Sequence, residues 1–224
     1  MDPILHLLVA CAAFLLLHVL PSTPLRPALV RALGEGPYLG AFSLATAAAI
    51  VWMVVAYNAA PATPLWPGLR ALPAAAMPFA FILIASGVMT PNPTAVAQGR
   101  LLARPEPARG IIRITRHPVM WGIMLWSGAH ILARGELKST VFFGSFLVLA
   151  GLGTLLQDAR KAKVHGEDWK RFAALTSNLP FAAIAQGRNR LALGEIGLAQ
   201  AVFGLILYGG FFAAHSWLFG ARPY

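Results

Sequence analysis

Charged side chains are scarce in this sequence. Asp, Glu, Lys and Arg together make up 12% of the 224 residues, whereas 58% are hydrophobic. A soluble domain of this size does not need so much apolar surface to fill one core. The excess must face lipid, which predicts an integral membrane protein.

Cysteine is limited to Cys11, which lies inside an apolar segment. A disulfide framework and a cysteine-built metal site are therefore excluded, and Cys11 is expected to be a small buried side chain. The sequence also lacks a glycine-rich phosphate loop and a carboxylate pair within an apolar segment. Their absence argues against nucleotide-binding proteins and dimetal enzymes.

Acidic residues are few, with 8 Asp and Glu against 18 Lys and Arg, and the net charge is +10. The basic residues lie in short stretches between apolar runs and form no single dense patch. This distribution favours a membrane surface over nucleic acid as the partner of the positive charge.

Six apolar stretches meet or approach the length of about 20 residues that a helix needs to cross a bilayer. They run roughly from Pro3 to Leu20, Tyr38 to Ala59, Leu72 to Thr90, His117 to Ala133, Ser139 to Gln157, and Gly197 to Phe219. The predicted fold is all-α, an integral membrane bundle of about six transmembrane helices formed as one domain over residues 1–224. The fourth stretch is the shortest and most polar, so we expect protein to shield it from lipid. The N-terminus carries an acid where a signal peptide would be basic, so we expect the first stretch to be retained.

Basic residues are distributed unequally between alternate connections, fourteen on one side and four on the other. The richer side contains Arg26, Arg31, Arg100, Arg104, Arg109, Arg113, Arg116, Arg160, Lys161, Lys163, Lys170, Arg171, Arg188 and Arg190. The positive-inside rule places this side in the cytoplasm and both termini outside it, and we expect the membrane to be a bacterial inner membrane. After the fifth stretch, Trp169, Phe172, Ala173 and Leu175 are spaced to line one face of a short helix at the cytoplasmic interface.

Four histidines lie in or beside the apolar stretches, where an ionisable side chain costs free energy unless it has a polar partner. They are His18, His117, His130 and His215. A neutral imidazole is cheaper to bury than a fixed charge, and its nitrogen lone pair is a common haem ligand. A hydrogen bond to a neighbouring helix is the alternative role for each ring.

Three segments carry a family resemblance: GIIRITRHPVMWGIMLWSGAH, GEDWKRFAALTSNLPFAAIAQGR, and LLHVLPS with the following LGEGPY and FS. Together they resemble the NnrU family and its relatives the 15-cis-zeta-carotene isomerases, over nearly the whole chain. The resemblance implies an integral membrane protein that carries haem b, isomerises a double bond of a hydrophobic polyene, and uses iron reduction to do so. The family's haem-ligating histidines match His18 and His130, and a cysteine proposed there as another ligand matches Ser127, which is a poor ligand for haem iron.

Helix geometry favours different histidine pairs. With a rise of about 1.5 Å per residue, His130 lies about 20 Å along its helix from His117, towards the outer side. His18 lies at the cytoplasmic end of its helix. By depth in the membrane, His18 therefore pairs with His117, and His130 pairs with His215. A tilted, broken or re-entrant first helix would bring His18 and His130 to one depth. These two remain the first choice of ligands, and His117 and His215 are the rivals.

Arg113 and Arg116 are candidate partners of the haem propionates, because carboxylates near a membrane surface pair with guanidinium groups. A purely topological role for these arginines is the alternative. The bacterial NnrU proteins are named for an association with nitrite and nitric oxide reduction, so the second functional hypothesis is an accessory or redox protein with a redox partner. The RHP segment followed by GEDW also looks like the membrane methyltransferases that modify isoprenylcysteine or phospholipids, which is the third hypothesis.

The charge asymmetry gives a direct test of topology. A reporter fused after Arg190 is expected to be cytoplasmic, and one fused after Tyr224 is expected to lie on the opposite side. Paired alkaline phosphatase and fluorescent protein fusions measure this. Finding both fusion points on the same side would refute the six-helix arrangement.

Overall fold

The computed structural model describes residues 1–95 and 98–223, and helices dominate this part of the chain. The α-helices are α1 (Pro3–Val19), α2 (Leu25–Leu33), α3 (Glu35–Ala59), α4 (Leu72–Met89), α5 (Pro118–Arg134), α6 (Leu137–Leu175), α7 (Ala182–Ala185), α8 (Leu193–Ile196) and α9 (Leu198–Phe219). Short 3₁₀ turns cover Leu20–Ser22, Gly99–Ala103 and Gly110–Arg113. This architecture confirms the predicted all-helical membrane fold.

Each predicted transmembrane stretch corresponds to one helix. In the described residues, α3, α4, α6 and α9 are long and apolar enough to cross a membrane, and α1 is a shorter apolar helix. The start of α1 follows from its sequence. The Asp2 carboxylate accepts hydrogen bonds from the backbone N–H groups of Ile4 and Leu5 at 2.9 and 3.0 Å, and Pro3 occupies the first turn, where no N–H is needed.

The fourth predicted stretch forms α5, which has 17 residues. Its side chains are buried or half-buried except those of Leu132 and Arg134. This burial agrees with the expectation that protein shields the helix. By contrast, α6 extends well past the predicted end of the fifth stretch and is interrupted at Gly166, whose φ of 49° and ψ of −117° are not helical.

The chain divides into two compact units. The first consists of residues 1–69 and 130–149. Its apolar core is formed where α1 and α3 pack together, around Leu7, Phe14 and Met53, which are 2% exposed or less. Residues from the beginning of α6, such as Phe142 and Phe146, pack against this core.

The proline-rich connection after α3 is ordered by backbone hydrogen bonds within the first unit. The N–H of Leu65 donates to the carbonyl oxygen of Gly135 at 2.7 Å, and the N–H of Leu137 donates to that of Thr63 at 2.9 Å. Because Gly135 has a φ of 62°, it allows the sharp turn between α5 and α6 that this connection contacts.

The second unit consists of residues 70–129 and 150–224, and α4 and α9 form its most extensive helix pair. The backbones approach closely at Gly204 of α9. A Cβ atom at this position would lie 2.9 Å from the Cα atom of Ile82 and from the carbonyl oxygen of Phe81. Small residues at such crossings let membrane helices make close van der Waals contact, which is a main source of their association.

Replacing Gly204 by alanine is therefore expected to force α4 and α9 apart. The added methyl group meets rigid backbone, so the variant should lose about 1–3 kcal/mol of stability. Thermal unfolding of the detergent-solubilised protein measures the effect. Gly209→Ala is the matched control, because a Cβ there meets nothing within 4 Å. Equal melting temperatures for the two variants would contradict the close approach.

Candidate functional site

The RITRHP segment leads into α5 and is held by its own polar side chains. Thr115, which is fully buried, accepts a hydrogen bond from the backbone N–H of His117 at 3.2 Å and donates to the carbonyl oxygen of Asn178 at 2.6 Å. Pro118 follows as the first residue of α5, where its missing N–H costs nothing. The segment is thereby fixed to the loop that follows α6.

Asp158 of α6 contacts two side chains of this segment, those of Arg116 and His117. Its carboxylate accepts hydrogen bonds from Nε and Nη2 of Arg116 at 2.9 and 2.5 Å, and it lies 2.6 Å from Nε2 of His117. Because a carboxylate only accepts, His117 carries its proton on Nε2. The three side chains are 1–18% exposed. They form a half-buried charge cluster, which we call the Asp158 cluster.

Neighbouring polar groups complete the Asp158 cluster. Nη1 of Arg116 donates to the carbonyl oxygen of Thr176 at 3.3 Å, and the guanidinium lies over the ring of Trp169 at 5.7 Å. All three terminal nitrogens of Arg116 therefore have partners within the protein. Asp158 was not among the site residues predicted from sequence, although an acid at the end of an apolar stretch and close to Arg160 and Lys161 was an available signal.

Every guanidinium nitrogen of Arg113 also donates a hydrogen bond. Its Nε and Nη2 donate to the two carboxylate oxygens of Glu195 at 2.8 and 3.0 Å, and Nη1 donates to the side-chain oxygen of Asn189 at 2.7 Å. The backbone N–H of Gly110 donates to the same carboxylate at 3.1 Å. The hydrogen bond from Arg113, together with that from Gly110, lowers the pKa of Glu195 to about 2.

The helical segment after Gly166 does not present the predicted apolar face to lipid. Trp169 and Phe172 are 5% and 0% exposed, and they belong to an apolar cluster with Ile111 and Ile112. Leu175 is 39% exposed. The short helix and its shared apolar face are as predicted from sequence, but the loop that precedes α5 buries Trp169 and Phe172.

The four histidines singled out in the sequence are divided between the units. His18 and His130 both belong to the first unit, and His117 and His215 belong to the second. His117 is engaged in the Asp158 cluster and is 2% exposed. In His215, Nδ1 lies 2.7 Å from the carbonyl oxygen of Ala221, and the ring packs against Phe219.

His18 has one ring nitrogen engaged by its own helix. Its Nδ1 lies 2.8 Å from the carbonyl oxygen of Phe14, and since a carbonyl only accepts, Nδ1 carries the proton. Nε2 is then the nitrogen with the lone pair. The half-buried ring is surrounded by aromatic side chains, with centroids 4.4 Å from Phe14 and 5.8 Å from Phe42.

His130, also half-buried, lies with its ring centroid 4.9 Å from that of Phe143. Four phenylalanine rings follow one another at centroid distances of 5.1–5.4 Å: Phe143 contacts Phe142, Phe142 contacts Phe146, and Phe146 contacts Phe14. His130 and His18 lie at the two ends of this series in the first unit, so four phenylalanine rings separate the two imidazoles. Ser127, which the resemblance matched to a cysteine of the isomerases, is fully buried and donates to the carbonyl oxygen of Ile123 at 2.6 Å.

In residues 1–95 and 98–223, no three or more His, Cys, Asp or Glu side chains are grouped so that they could hold a metal ion between them. Haem iron needs only one or two protein ligands, because the porphyrin supplies the other four. An open surface cavity of about 460 Å³ is also present, lined by Arg113, Arg188, Arg190 and neighbouring residues. It lies in the second unit with Asn189, and so does not include His18 or His130.

The low pKa of Glu195 makes stability depend on pH in a defined direction. Since folding lowers this pKa from 4.5 to about 2, the interaction with Arg113 stabilises the protein above pH 4.5 and is lost as pH falls towards 2. Wild type should therefore melt above Glu195→Gln at pH 6, and the difference should shrink in acid. Melting temperatures of both proteins between pH 6 and pH 2.5 measure this.

Glu106→Gln is the control for that titration. Glu106 is 71% exposed and its contact with Arg109 is 4.0 Å long, so its replacement should have little effect at any pH. A difference between wild type and Glu195→Gln that stays constant down to pH 2.5 would show that the ion pair does not titrate as described.

Comparison with known proteins gives both a family and relatives. The family model described as "NnrU protein" matches residues 6–223. The proteins named "15-cis-zeta-carotene isomerase, chloroplastic" from Arabidopsis thaliana and Zea mays are 44% and 37% identical to this chain over 82 residues. That segment is 37% of this chain and 22% of each relative.

No solved structure gives a significant match. The family match covers the apolar helices and the RITRHP segment alike, and it agrees with the resemblance carried by the sequence motifs. The chain belongs to the NnrU family.

Proposed function

We propose that this protein binds haem b and catalyses redox-dependent cis–trans isomerisation of a hydrophobic polyene within the membrane. The observation that carries the proposal is the 44% identity over 82 residues to the Arabidopsis protein named 15-cis-zeta-carotene isomerase. The apolar helices of a multi-pass membrane protein suit such a substrate, which would enter from lipid. A redox partner would supply the electron.

His18 has the features of a haem ligand. Its Nδ1–H donates to the carbonyl oxygen of Phe14, an arrangement that fixes the ring and leaves the Nε2 lone pair available. Two hydroxyl groups on the neighbouring α3, those of Tyr38 and Thr46, are buried without a hydrogen-bond partner in the described residues. These two hydroxyl groups would therefore suit a ligand with hydrogen-bonding atoms that the chain itself does not provide.

We propose His18 and His130 as the iron ligands, because the family resemblance implies this pair and both residues belong to the same unit. The phenylalanine rings between them would have to move apart for one iron to bind both. Their aromatic neighbours would exclude water and pack against flat, apolar surfaces such as a porphyrin or a conjugated polyene. Bound haem would supply an iron centre that can change oxidation state, and no acid or base from the chain is needed for an isomerisation that leaves composition unchanged. The role of the protein residues is to hold and orient both molecules.

Arg113 and Arg116 are assigned here to the architecture of the loop rather than to haem propionates. Each guanidinium already donates to a carboxylate of the chain, Glu195 or Asp158, and to a further oxygen atom. A propionate would have to displace a half-buried ion pair. His117 is treated in the same way, because its Nε2 proton is held by Asp158.

The second candidate is an accessory or redox protein in nitrite or nitric oxide reduction, with haem as sensor or electron carrier. It is favoured by the extent of the family match, residues 6–223, compared with the 82 residues matched by the isomerases. Absorption spectra of the purified protein, before and after dithionite, test for haem in both candidates. Addition of a cis-carotene under anaerobic reducing conditions separates them, since only an isomerase produces the trans product.

Ligand identity gives the sharpest test of the site. His18→Ala and His130→Ala are each expected to lower haem content or shift the reduced spectrum, because removal of an axial nitrogen changes the iron's coordination. The pyridine haemochrome assay and reduced-minus-oxidised spectra measure both effects. His165→Ala, on α6 beyond the membrane-spanning part, is the control and should match wild type.

His117→Ala and His215→Ala complete the series. Loss of haem from His18→Ala and His117→Ala, but not from His130→Ala, would identify His18 and His117 as the ligands. These two lie at similar predicted depth in the membrane, and they would replace the pair that the family resemblance implies. Loss from His130→Ala and His215→Ala alone would move the haem to the opposite end of the helices. A wild-type protein without a Soret band would refute the haem proposal and with it both candidate functions.

A further inference from the structure

Tyr38, at the beginning of α3, has a buried hydroxyl group whose hydrogen-bonding capacity is unsatisfied in the described residues. The residue is 5% exposed, and its hydroxyl has no hydrogen-bond partner in the described part of the chain. Leaving such a group unpaired in the interior costs about 1–3 kcal/mol. A phenylalanine would pack in the same space without this cost, so the hydroxyl indicates a polar ligand.

The position of Tyr38 relates this hydroxyl to His18. Tyr38, Phe42 and Thr46 are spaced by four residues and lie on one face of α3. The Phe42 ring stacks on Tyr38 with centroids 6.3 Å apart and meets the His18 ring edge-on at 5.8 Å. The hydroxyl of Thr46, one turn further along, is the second unpartnered group. Polar atoms without partners thus flank the aromatic contact of His18.

Arg26 brings positive charge to the same place. Its Cζ atom lies over the Tyr38 ring, 5.7 Å from the centroid. Arg26 forms an ion pair with Glu35 through a contact of 3.4 Å, and the Glu35 side chain is 68% exposed. Such a pair contributes little to stability, so exchanging Glu35 for another anion is inexpensive. In Arg113 and Arg116, by comparison, every guanidinium nitrogen already donates to an oxygen atom of the chain.

We propose that the Tyr38 hydroxyl and the Arg26 guanidinium bind a carboxylate of the cofactor that His18 ligates, namely a haem propionate. The inference rests on the proposed function and deepens it. A tyrosine hydroxyl donates one hydrogen bond to a carboxylate, and a guanidinium adds charge-assisted ones. On binding, Arg26 changes partner from Glu35 to the propionate, and Glu35 is left in an exposed position where a free carboxylate is well solvated.

The experiment compares two forms of the cofactor. Full-length protein, prepared without haem in detergent, is titrated with haem b and with haem b dimethyl ester, in which the carboxylates are blocked, and the Soret band is followed. Tyr38→Phe and Arg26→Gln should each weaken haem b binding about tenfold, which is the effect of losing one hydrogen bond to a charged group. Neither variant should change the affinity for the ester.

Two controls match the substituted residues in kind. Arg31→Gln removes an exposed arginine from the same helix, α2, and Tyr208→Phe removes a tyrosine hydroxyl of the second unit that donates to the carbonyl oxygen of Ala74 at 3.0 Å. Both should bind haem b with the affinity of wild type. The melting temperature of the haem-free protein is a second readout, and Tyr38→Phe should not lower it, because the hydroxyl makes no bond there.

The outcomes separate the inference from the function on which it rests. A wild-type protein that binds neither haem b nor its ester refutes the proposed function. A wild type that binds haem b, with Tyr38→Phe and Arg26→Gln binding it equally well, refutes the propionate site and leaves the haem proposal intact. Equal weakening for haem b and ester would also refute the site, since it would show a general packing defect instead of recognition of the carboxylate.

Discussion

The ion pair between Arg116 and Asp158 is the constraint on which the second unit depends. A guanidinium and a carboxylate that are 14% and 18% exposed have lost most of their hydration, and each needs the other to offset that loss. Because Arg116 immediately precedes His117 and Pro118, satisfying this one pair fixes where α5 begins. It also ties that point to α6, on which Asp158 is located. Removal of either charge would strand the other in a poorly hydrated position.

Around this pair, aromatic and aliphatic side chains close a small core outside the apolar helices. Trp169 lies beneath the Arg116 guanidinium, and Phe172 is fully buried beside Ile112. The pair Arg113–Glu195 attaches the same loop to α8. Polar pairing and apolar burial therefore act together here, because the RITRHP segment takes part in both.

The histidines show how environment gives one residue type different roles. His117 is buried against a carboxylate, which holds its Nε2 proton and commits the ring to architecture. His18 gives only Nδ1–H to a backbone carbonyl and keeps the Nε2 lone pair, the form in which imidazole binds metals. Burying a neutral imidazole among aromatic side chains costs less free energy than burying a charged group. The first unit can therefore hold His18 with its Nε2 lone pair available to a metal.

The sequence by itself determined the membrane class, the family resemblance and the helices. Apolar length is a local property, so the predicted stretches correspond to α1, α3, α4, α5, α6 and α9, with ends set by signals such as Asp2 and Pro3. Charge pairing and burial were decided only by the tertiary structure. Asp158 and Glu195 are distant in sequence from Arg116 and Arg113, and no periodicity relates them. The apolar face around Trp169 had the spacing of a lipid-facing helix, yet a distant loop covers it. Hydrophobic spacing shows that a face must be buried, whereas what buries it depends on which segments the fold brings together.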